Sequence, residues 1–387
     1  MFNIKCFNNI AQVGLDLLKD NFEQVENFEI ANGVLVRSAN LHELELSPTL
    51  MAIARAGAGV NNIPLDKCSE QGIVVFNTPG ANANGVKELV IASLIMASRN
   101  VIDGVNWVNT VKDDPNVAKL VEKNKARFAG TEIKGKKLGV IGLGRIGVLV
   151  ANAANKLHMD VYGFDPFISV DAAWNLSRYI KHARTLEEIF RECDYITVHA
   201  PSTDATMGMF NKETFAIMKD GVKIFNFSRD SLVVDDDMIE ALESGKVSHY
   251  VTDFPIAKTG QMKNAIVIPH LGASTKESEE NCAIMAANQL KDYLENGNIK
   301  NSVNYPNCSM GICTREGRIA INHRNIPNML GQFTAILASE NINISDMTNK
   351  SRGDYAYTLI DIETTVTPEL IKKFEASDGV LKVRAIK

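Results

Sequence analysis

The sequence predicts an α/β chain built on doubly wound parallel sheets, followed by a small unit of different rhythm, and three observations carry that expectation. Short apolar runs of strand length recur along most of the chain, separated by stretches of helical periodicity. One of these runs feeds directly into a glycine-rich turn and an apolar helix. Beyond the Asn-, Ser- and Pro-rich stretch IKNSVNYPNCSMGICTREG the order changes to strand, helix, two strands, helix, strand. At ~150 residues per domain, 387 residues suggest two or three domains.

The elements follow in order. GVLVRS (Gly33 to Ser38), MAIARAG (Met51 to Gly57) and GIVVFN (Gly72 to Asn77) read as strands of a first parallel sheet. From Gly85 a long helical stretch runs to Asn109, and a charge-rich passage follows in which Lys123, Lys125 and Arg127 form a basic run. A second block supplies six strands, in KKLGVIG, VYGFD, YITVHAP, KIFNFSR, SHYVTDF and IVIPH, enough for a complete doubly wound domain. The segment from Ser274 to Asn298 has helical spacing, with Ser274 as its candidate N-cap. In the last unit RIAINH and YAYTLIDIET alternate, Leu330, Phe333, Ile336 and Leu337 share a helix face, and a hairpin turns near Gly353. That βαββαβ order is the ferredoxin-like arrangement.

Composition excludes several roles. Lys+Arg 41 against Asp+Glu 46 gives a net charge of -5, which leaves no basic excess for nucleic acid or an anionic membrane. No apolar run of ~18 residues occurs, and the start MFNIKCFNNIAQVG lacks a leader pattern, so a cytoplasmic protein is expected. Cys6, Cys68, Cys193, Cys282, Cys308 and Cys313 lack the paired spacings of a zinc site, so they read as free thiols and no metal is expected.

In VIGLGRIG, Gly142, Gly144 and Gly147 lie between a strand and a helix. The first glycine permits the tight turn, the second lets a pyrophosphate approach the backbone, and the third lets helix and strand pack closely. The anion then rests on the helix N-terminus. Asp165, just over twenty positions on, suits a ribose 2'-hydroxyl and repels a 2'-phosphate, so NAD is expected over NADP. This is a Rossmann-type signature. Arg229 and His270 close two further strands of the block, at the carboxyl ends where such sheets bind ligands. Histidine suits the base that takes a hydroxyl proton while hydride leaves the same carbon, and a planar guanidinium can grip a carboxylate with two hydrogen bonds.

Together with VLVRSAN, ARAGAGVNN, VHAPST, NFSRDSLVVDD, IPHLGAST and HRNIP, these motifs make the chain resemble the D-isomer-specific 2-hydroxyacid dehydrogenases. It is most similar to the members that oxidise 3-phospho-D-glycerate and carry a C-terminal ACT domain. The resemblance implies a flavodoxin-like substrate domain over 1–81 and 273–301, an NAD domain over 82–272, a linker at 302–316 and an ACT-like domain over 317–387. It makes Arg229 the carboxylate clamp and His270 the catalytic base, and it places Arg37, Ser38, Gly57, Ala58, Gly59 and Asn82 on the substrate side. Arg145, Ile146, Pro201, Ser228 and Asp253, with His270, are implied to line the cofactor. His323, Asn325 and Asn343 match positions that bind an L-serine effector, and a homodimer or homotetramer is implied.

Departures from the family accompany that likeness. Counting from Asp253 in VTDFPIAK, Lys258 stands where the family carries the Glu that hydrogen-bonds the catalytic His. Asp253, Asp230 or no residue then fills the role. Asp230 follows Arg229 where the family has Gly, and Asn328 stands where the ACT motif has Gly, a turn position that asparagine also tolerates. The leading expectation is NAD-dependent oxidation of 3-phospho-D-glycerate to 3-phosphohydroxypyruvate, the first step of L-serine synthesis. The alternatives are reduction of glyoxylate, hydroxypyruvate or another small 2-keto acid and, in a different class, an NAD-sensing corepressor-like binding protein.

Overall fold

The computed structural model describes residues Met1–Lys387 and divides them into two compact units, Met1–Asn82 with Lys276–Lys387 and Ala83–Thr275. The first unit holds a five-stranded parallel sheet of β1 (Phe2–Phe7), β2 (Phe22–Gln24), β3 (Gly33–Val36), β4 (Ala52–Arg55) and β5 (Val74–Phe76) in the order β2-β1-β3-β4-β5. This is the flavodoxin-like order. Val34, Leu35, Val36, Ile53, Val74 and Val75 are fully buried because both faces of the sheet are covered, which is why its strands read as unbroken apolar runs. On one face lies the helix Lys276–Asn296 with Ala283, Ala286 and Leu290, and on the other a cluster of Leu41, Leu50, Ile63 and Cys68.

The second unit holds a seven-stranded parallel sheet of β6 (Lys137–Ile141), β7 (Asp160–Phe164), β8 (Lys181–His182), β9 (Tyr195–Val198), β10 (Val222–Asn226), β11 (Val247–Thr252) and β12 (Ala265–Val267). The order is β12-β11-β10-β9-β6-β7-β8, the Rossmann order with one strand more than the sequence shows. The addition is β8, two exposed residues that carry no apolar signal. The long helix expected from Gly85 is two helices, Ala83–Arg99 and Val101–Val111, because Asn100 takes a left-handed conformation (φ 47°) between them. Asparagine visits that region at low cost.

The C-terminal sheet contains β13 (Gly317–Arg324), β14 (Ile344–Arg352), β15 (Tyr355–Ile362) and β16 (Val380–Ala385), antiparallel in the order β14-β15-β13-β16. With the helices Met329–Ser339 and Pro368–Glu375 it makes the predicted βαββαβ unit. One face packs Ile319, Ile321, Ile360 and Ile362 onto Phe333 and Phe374 of those helices. The opposite face, through Ala320, Tyr357 and Leu359, shares a core with Phe76, Leu290, Tyr293 and Tyr305 of the same compact unit.

That second face and the stretch 302–316, expected as a linker, pack with the first sheet in one compact unit. Asn304 Oδ1 accepts from the Val75 amide at 2.8 Å, and Tyr305 donates to the Ser69 carbonyl at 2.8 Å, so the polar stretch is stitched into the first sheet. The last carbonyls of the helix Lys276–Asn296 lack partners within the helix. Arg384 reaches Tyr293 and Leu294, Arg318 reaches Asn296, and Tyr357 takes the Gly297 carbonyl just beyond. No helix of the chain is long and apolar enough to cross a membrane.

Candidate functional site

The turn after β6 has the geometry a dinucleotide needs. Gly142 has φ 87°, and a Cβ there would lie 2.7 Å from the His199 carbonyl oxygen. A Cβ on Gly147 would fall 1.9 Å from the Gly142 carbonyl oxygen, so that glycine lets the helix Arg145–Lys156 close on the turn. Gly144 is different: nothing lies within 4 Å of its added Cβ. No protein atom requires glycine there, and the open space in front of its backbone at a helix N-terminus fits a pyrophosphate. Arg145 is exposed and Ile146 half-buried in the first turn of that helix.

Asp165 follows β7 and is fixed by two backbone amides. Its Oδ2 accepts from Leu143 in the glycine turn and its Oδ1 from Phe167, both at 2.8 Å. The carboxylate is thus oriented before any ligand arrives, with lone pairs left for ribose hydroxyls. Ser228 donates to the Val198 carbonyl at 2.8 Å, and Pro201 accepts from Thr206 at 2.6 Å, so these two members of the expected cofactor lining are held by their loops. Half-buried His199 pairs with Thr197 at 3.0 Å, and desolvation of its ring pushes the imidazole down to about 3, so it stays neutral.

Arg229 and His270 leave the carboxyl ends of β10 and β12. Arg229 is exposed and its guanidinium touches only the carbonyl of Ser228, at 2.6 Å. Its loop is latched by Asn226, which is fully buried: Nδ2 donates to the Arg229 carbonyl at 2.7 Å while Oδ1 accepts from the amides of Ser228 and Arg229. Asn226 was missed in the sequence, although an amide inside the apolar strand KIFNF signals a buried polar latch. His270 is exposed and in the left-handed region (φ 48°). Its amide donates to the carbonyls of Asp253 and Ile268, and its ring lies 5.0 Å from that of Phe254.

Lys258, expected from the resemblance at the position of the family Glu, pairs with Asp236 at 2.6 Å on the surface. Asp230 opens a short 3-10 turn after Arg229 and is exposed. Asp253 is buried, 2 % exposed, with Oδ2 on the Gly272 amide at 3.0 Å. Burial pushes its carboxyl above the usual range, opposed by the Gly272 hydrogen bond and by the charges of His270 and Arg229.

In the first unit the expected substrate-side residues gather at the ends of β3 and β4. Asn8 Oδ1 accepts from the amides of Arg37, Ser38 and Ala39. Arg37 meets Glu279 at 2.7 Å, so the arginine implied to face the substrate already has a carboxylate partner. Arg55 donates to the carbonyls of Arg37 and Gly59, tying the Gly57–Ala58–Gly59 loop to the end of β3. Gly57 and Ala58 carbonyls accept from Thr78 and Asn77. Asn82 is the last residue of this segment and half-buried. Asn8, Arg55 and Glu279 were not singled out in the sequence, because Asn8 lies in a short irregular turn and Glu279 is distant in the chain.

The three expected effector residues do not share one environment. His323 is 2 % exposed, with Nδ1 2.8 Å from the Arg324 carbonyl, Nε2 2.8 Å from the Thr358 hydroxyl, and its ring edge-on to Phe333. It is a core residue, and both its ring nitrogens have partners within the fold. Asn325 is exposed and closes the hairpin by donating to the Gly353 carbonyl, and Asn343 is exposed. Asn328 takes φ 67°, so the turn that glycine usually makes is kept.

Residues 91–272 match the model of the D-isomer specific 2-hydroxyacid dehydrogenase NAD binding domain. The D-3-phosphoglycerate dehydrogenase of Haemophilus influenzae is 30% identical over 89% of this chain and 83% of its own. The chain belongs to the D-isomer-specific 2-hydroxyacid dehydrogenase family. The Bacillus subtilis D-3-phosphoglycerate dehydrogenase is 31% identical over 79% of this chain and 59% of its own. Among solved structures, the NAD+-bound 3-phosphoglycerate dehydrogenase of Entamoeba histolytica is 27% identical, with a TM-score of 0.63 over 78% of this chain and 98% of its own. The family makes the chain an NAD-dependent oxidoreductase acting on a small molecule, in accord with the glycine turn and Asp165.

Proposed function

We propose that the chain oxidises 3-phospho-D-glycerate to 3-phosphohydroxypyruvate, the first step of L-serine synthesis. The observation that carries the reading is the placement of Arg229 and His270 at the carboxyl ends of strands in the sheet whose glycine turn and Asp165 fit NAD. The relatives named for the same reaction supply its substrate. The glycine turn and Asp165 would hold NAD, which when bound would supply the hydride acceptor for C2. Arg229, whose guanidinium meets only one carbonyl, keeps donors free for the substrate carboxylate. His270, exposed and without a hydrogen bond to its ring, takes the C2 hydroxyl proton onto an imidazole nitrogen.

Regulation and assembly belong to the same reading. An L-serine effector on the C-terminal unit uses Asn325 and Asn343 rather than His323. Exposed Val101, Val105 and Val108 on one helix support association of copies into a dimer or tetramer. The test is NADH formation from 3-phospho-D-glycerate, measured beside NADH consumption with glyoxylate and hydroxypyruvate. A kcat/KM for phosphoglycerate above those for the keto acids is expected, and the reverse order gives the substrate assignment to a small 2-keto acid.

A further inference from the structure

The five-stranded sheet has a switch point of its own. Its order β2-β1-β3-β4-β5 reverses between β1 and β3, and doubly wound sheets bind ligands outside the carboxyl ends of the strands at such a point. Asn8, Arg37 and Arg55 meet there. Asn8 follows β1 in the left-handed region (φ 71°) and collects the amides of Arg37, Ser38 and Ala39, which follow β3. Arg55 closes β4, and its guanidinium lies across the Gly57 backbone, where an added Cβ would be 3.3 Å from Cζ. Its Nε donates to the Arg37 carbonyl at 2.9 Å, so two arginines share one strand end.

The proposed roles of Arg229 and His270 leave the phosphate of 3-phospho-D-glycerate unassigned. A phosphomonoester carries about −1.5 to −2 charges and three acceptor oxygens, which guanidinium groups match. One carboxylate competes for them. Glu279, in the first turn of the helix Lys276–Asn296, accepts from Nη2 of Arg37 at 2.7 Å. The contact is made at a single point rather than as a two-bond fork, and the two side chains are 41% and 44% exposed. An ion pair so open to water adds little to the fold and exchanges readily for a stronger anion. The next acid on the helix, Glu280, is drawn to Lys276 at 3.8 Å, so the carboxylate that meets Arg37 is Glu279.

We propose that Glu279 is an internal counter-ion that the substrate phosphate displaces: it holds Arg37 while no phosphate is bound, yields it to the phosphorylated ligand, and so sets the affinity for that ligand. The proposal rests on the reading of 3-phospho-D-glycerate as substrate. The incoming phosphate gains a guanidinium, and Glu279 turns to water, where its charge is solvated. Product carries the same phosphate, so the returning carboxylate also favours its departure. An unphosphorylated hydroxy acid brings no dianion to the crevice and leaves the ion pair closed.

The test is Glu279→Gln, which keeps the size of the side chain and removes its charge. KM for 3-phospho-D-glycerate should fall about tenfold, because a competing ion pair and a carboxylate–phosphate repulsion are lost together. The ratio of kcat/KM for phosphoglycerate to that for D-glycerate, the same skeleton without phosphate, should rise by a similar factor. An unchanged KM overturns the proposal, and so does a raised one, which would mean that Glu279 holds Arg37 in its binding position. Adding Arg37→Gln should erase the gain, and a gain that survives it also overturns the proposal. Inorganic phosphate, titrated by calorimetry at saturating NADH, reads the same competition without turnover and should bind Glu279→Gln more tightly. If phosphoglycerate is not oxidised, the substrate assignment fails and phosphate binding decides alone: equal affinity in the two forms, or none in either, overturns the counter-ion role. If phosphoglycerate is oxidised and neither KM nor phosphate affinity moves, the counter-ion role fails while the substrate assignment stands.

Discussion

The turn after β6 and the inner end of β13 both place polar residues where a family likeness expects a ligand, and the structure treats them in opposite ways. At Gly144 the space beyond the backbone is open, and Asp165 is oriented with acceptor capacity to spare. At His323 the ring is closed in by Arg324, Thr358 and Phe333. A motif residue recruits a ligand only where its hydrogen-bonding capacity is left unspent by the fold. On the proposed function, the strand ends of the seven-stranded sheet should govern rate and the buried polar groups of the C-terminal sheet the cohesion of its unit.

This contrast breaks if substitutions in the two regions cost the wrong quantity. His270→Ala should lower kcat by roughly 10²- to 10⁴-fold with an unchanged melting temperature, since the exposed ring makes no hydrogen bond in the fold. Comparable activity in that variant would remove His270 from the chemistry. Arg318→Met should do the converse. Its guanidinium is fully buried against Asp361, with contacts at 2.5 and 2.8 Å. Leaving that carboxylate unpaired costs about 3–5 kcal/mol. Denaturant unfolding should show the loss while KM for substrate and NADH hold. A folded, equally stable variant would show that the C-terminal sheet is loosely attached.

What the sequence made legible follows from the same distinction. Strands buried on both faces, the glycine turn and the alternating C-terminal strands each impose a local pattern, so the fold and the positions of Gly142, Asp165, Arg229 and His270 could be read directly. Partners far apart in the chain could not. Nothing near Arg37 announces Glu279, nothing near Arg384 announces the helix end at Tyr293, and nothing in RIAINH tells a buried histidine from an exposed one. The packing of the Asn- and Pro-rich stretch around Tyr305 was not legible, because turn-forming residues also make irregular structure that packs.

His323→Ala sharpens the comparison at smaller scale. Removing the ring leaves the Arg324 carbonyl and Thr358 hydroxyl without their partner, a loss of about 1–3 kcal/mol. Any inhibition by L-serine, measured at a temperature where the variant is still folded, should be retained. Its selective disappearance at full stability would return His323 to an effector role.

Lys382 gives the most specific effect. It lies on the inner face of β16, donates to the Leu50 carbonyl at 2.6 Å, and is pushed down to about 8, chiefly by burial and then by the neighbouring Arg384. The charged form is therefore penalised in the folded state. Between pH 8 and the ordinary lysine value of 10.5 the unfolded chain binds more protons than the folded one, so stability rises with pH across that window. The rise is at most about 3 kcal/mol, reduced by residual solvent exposure. Lys382→Met abolishes this contribution, and the difference in unfolding free energy between the two proteins should shift in favour of the lysine form as pH climbs from 8 to 10.5. A constant difference across that range would mean that the inner face of the C-terminal sheet admits water, and that its attachment to the substrate-side sheet is looser than the shared core of Tyr293, Tyr305 and Tyr357 implies.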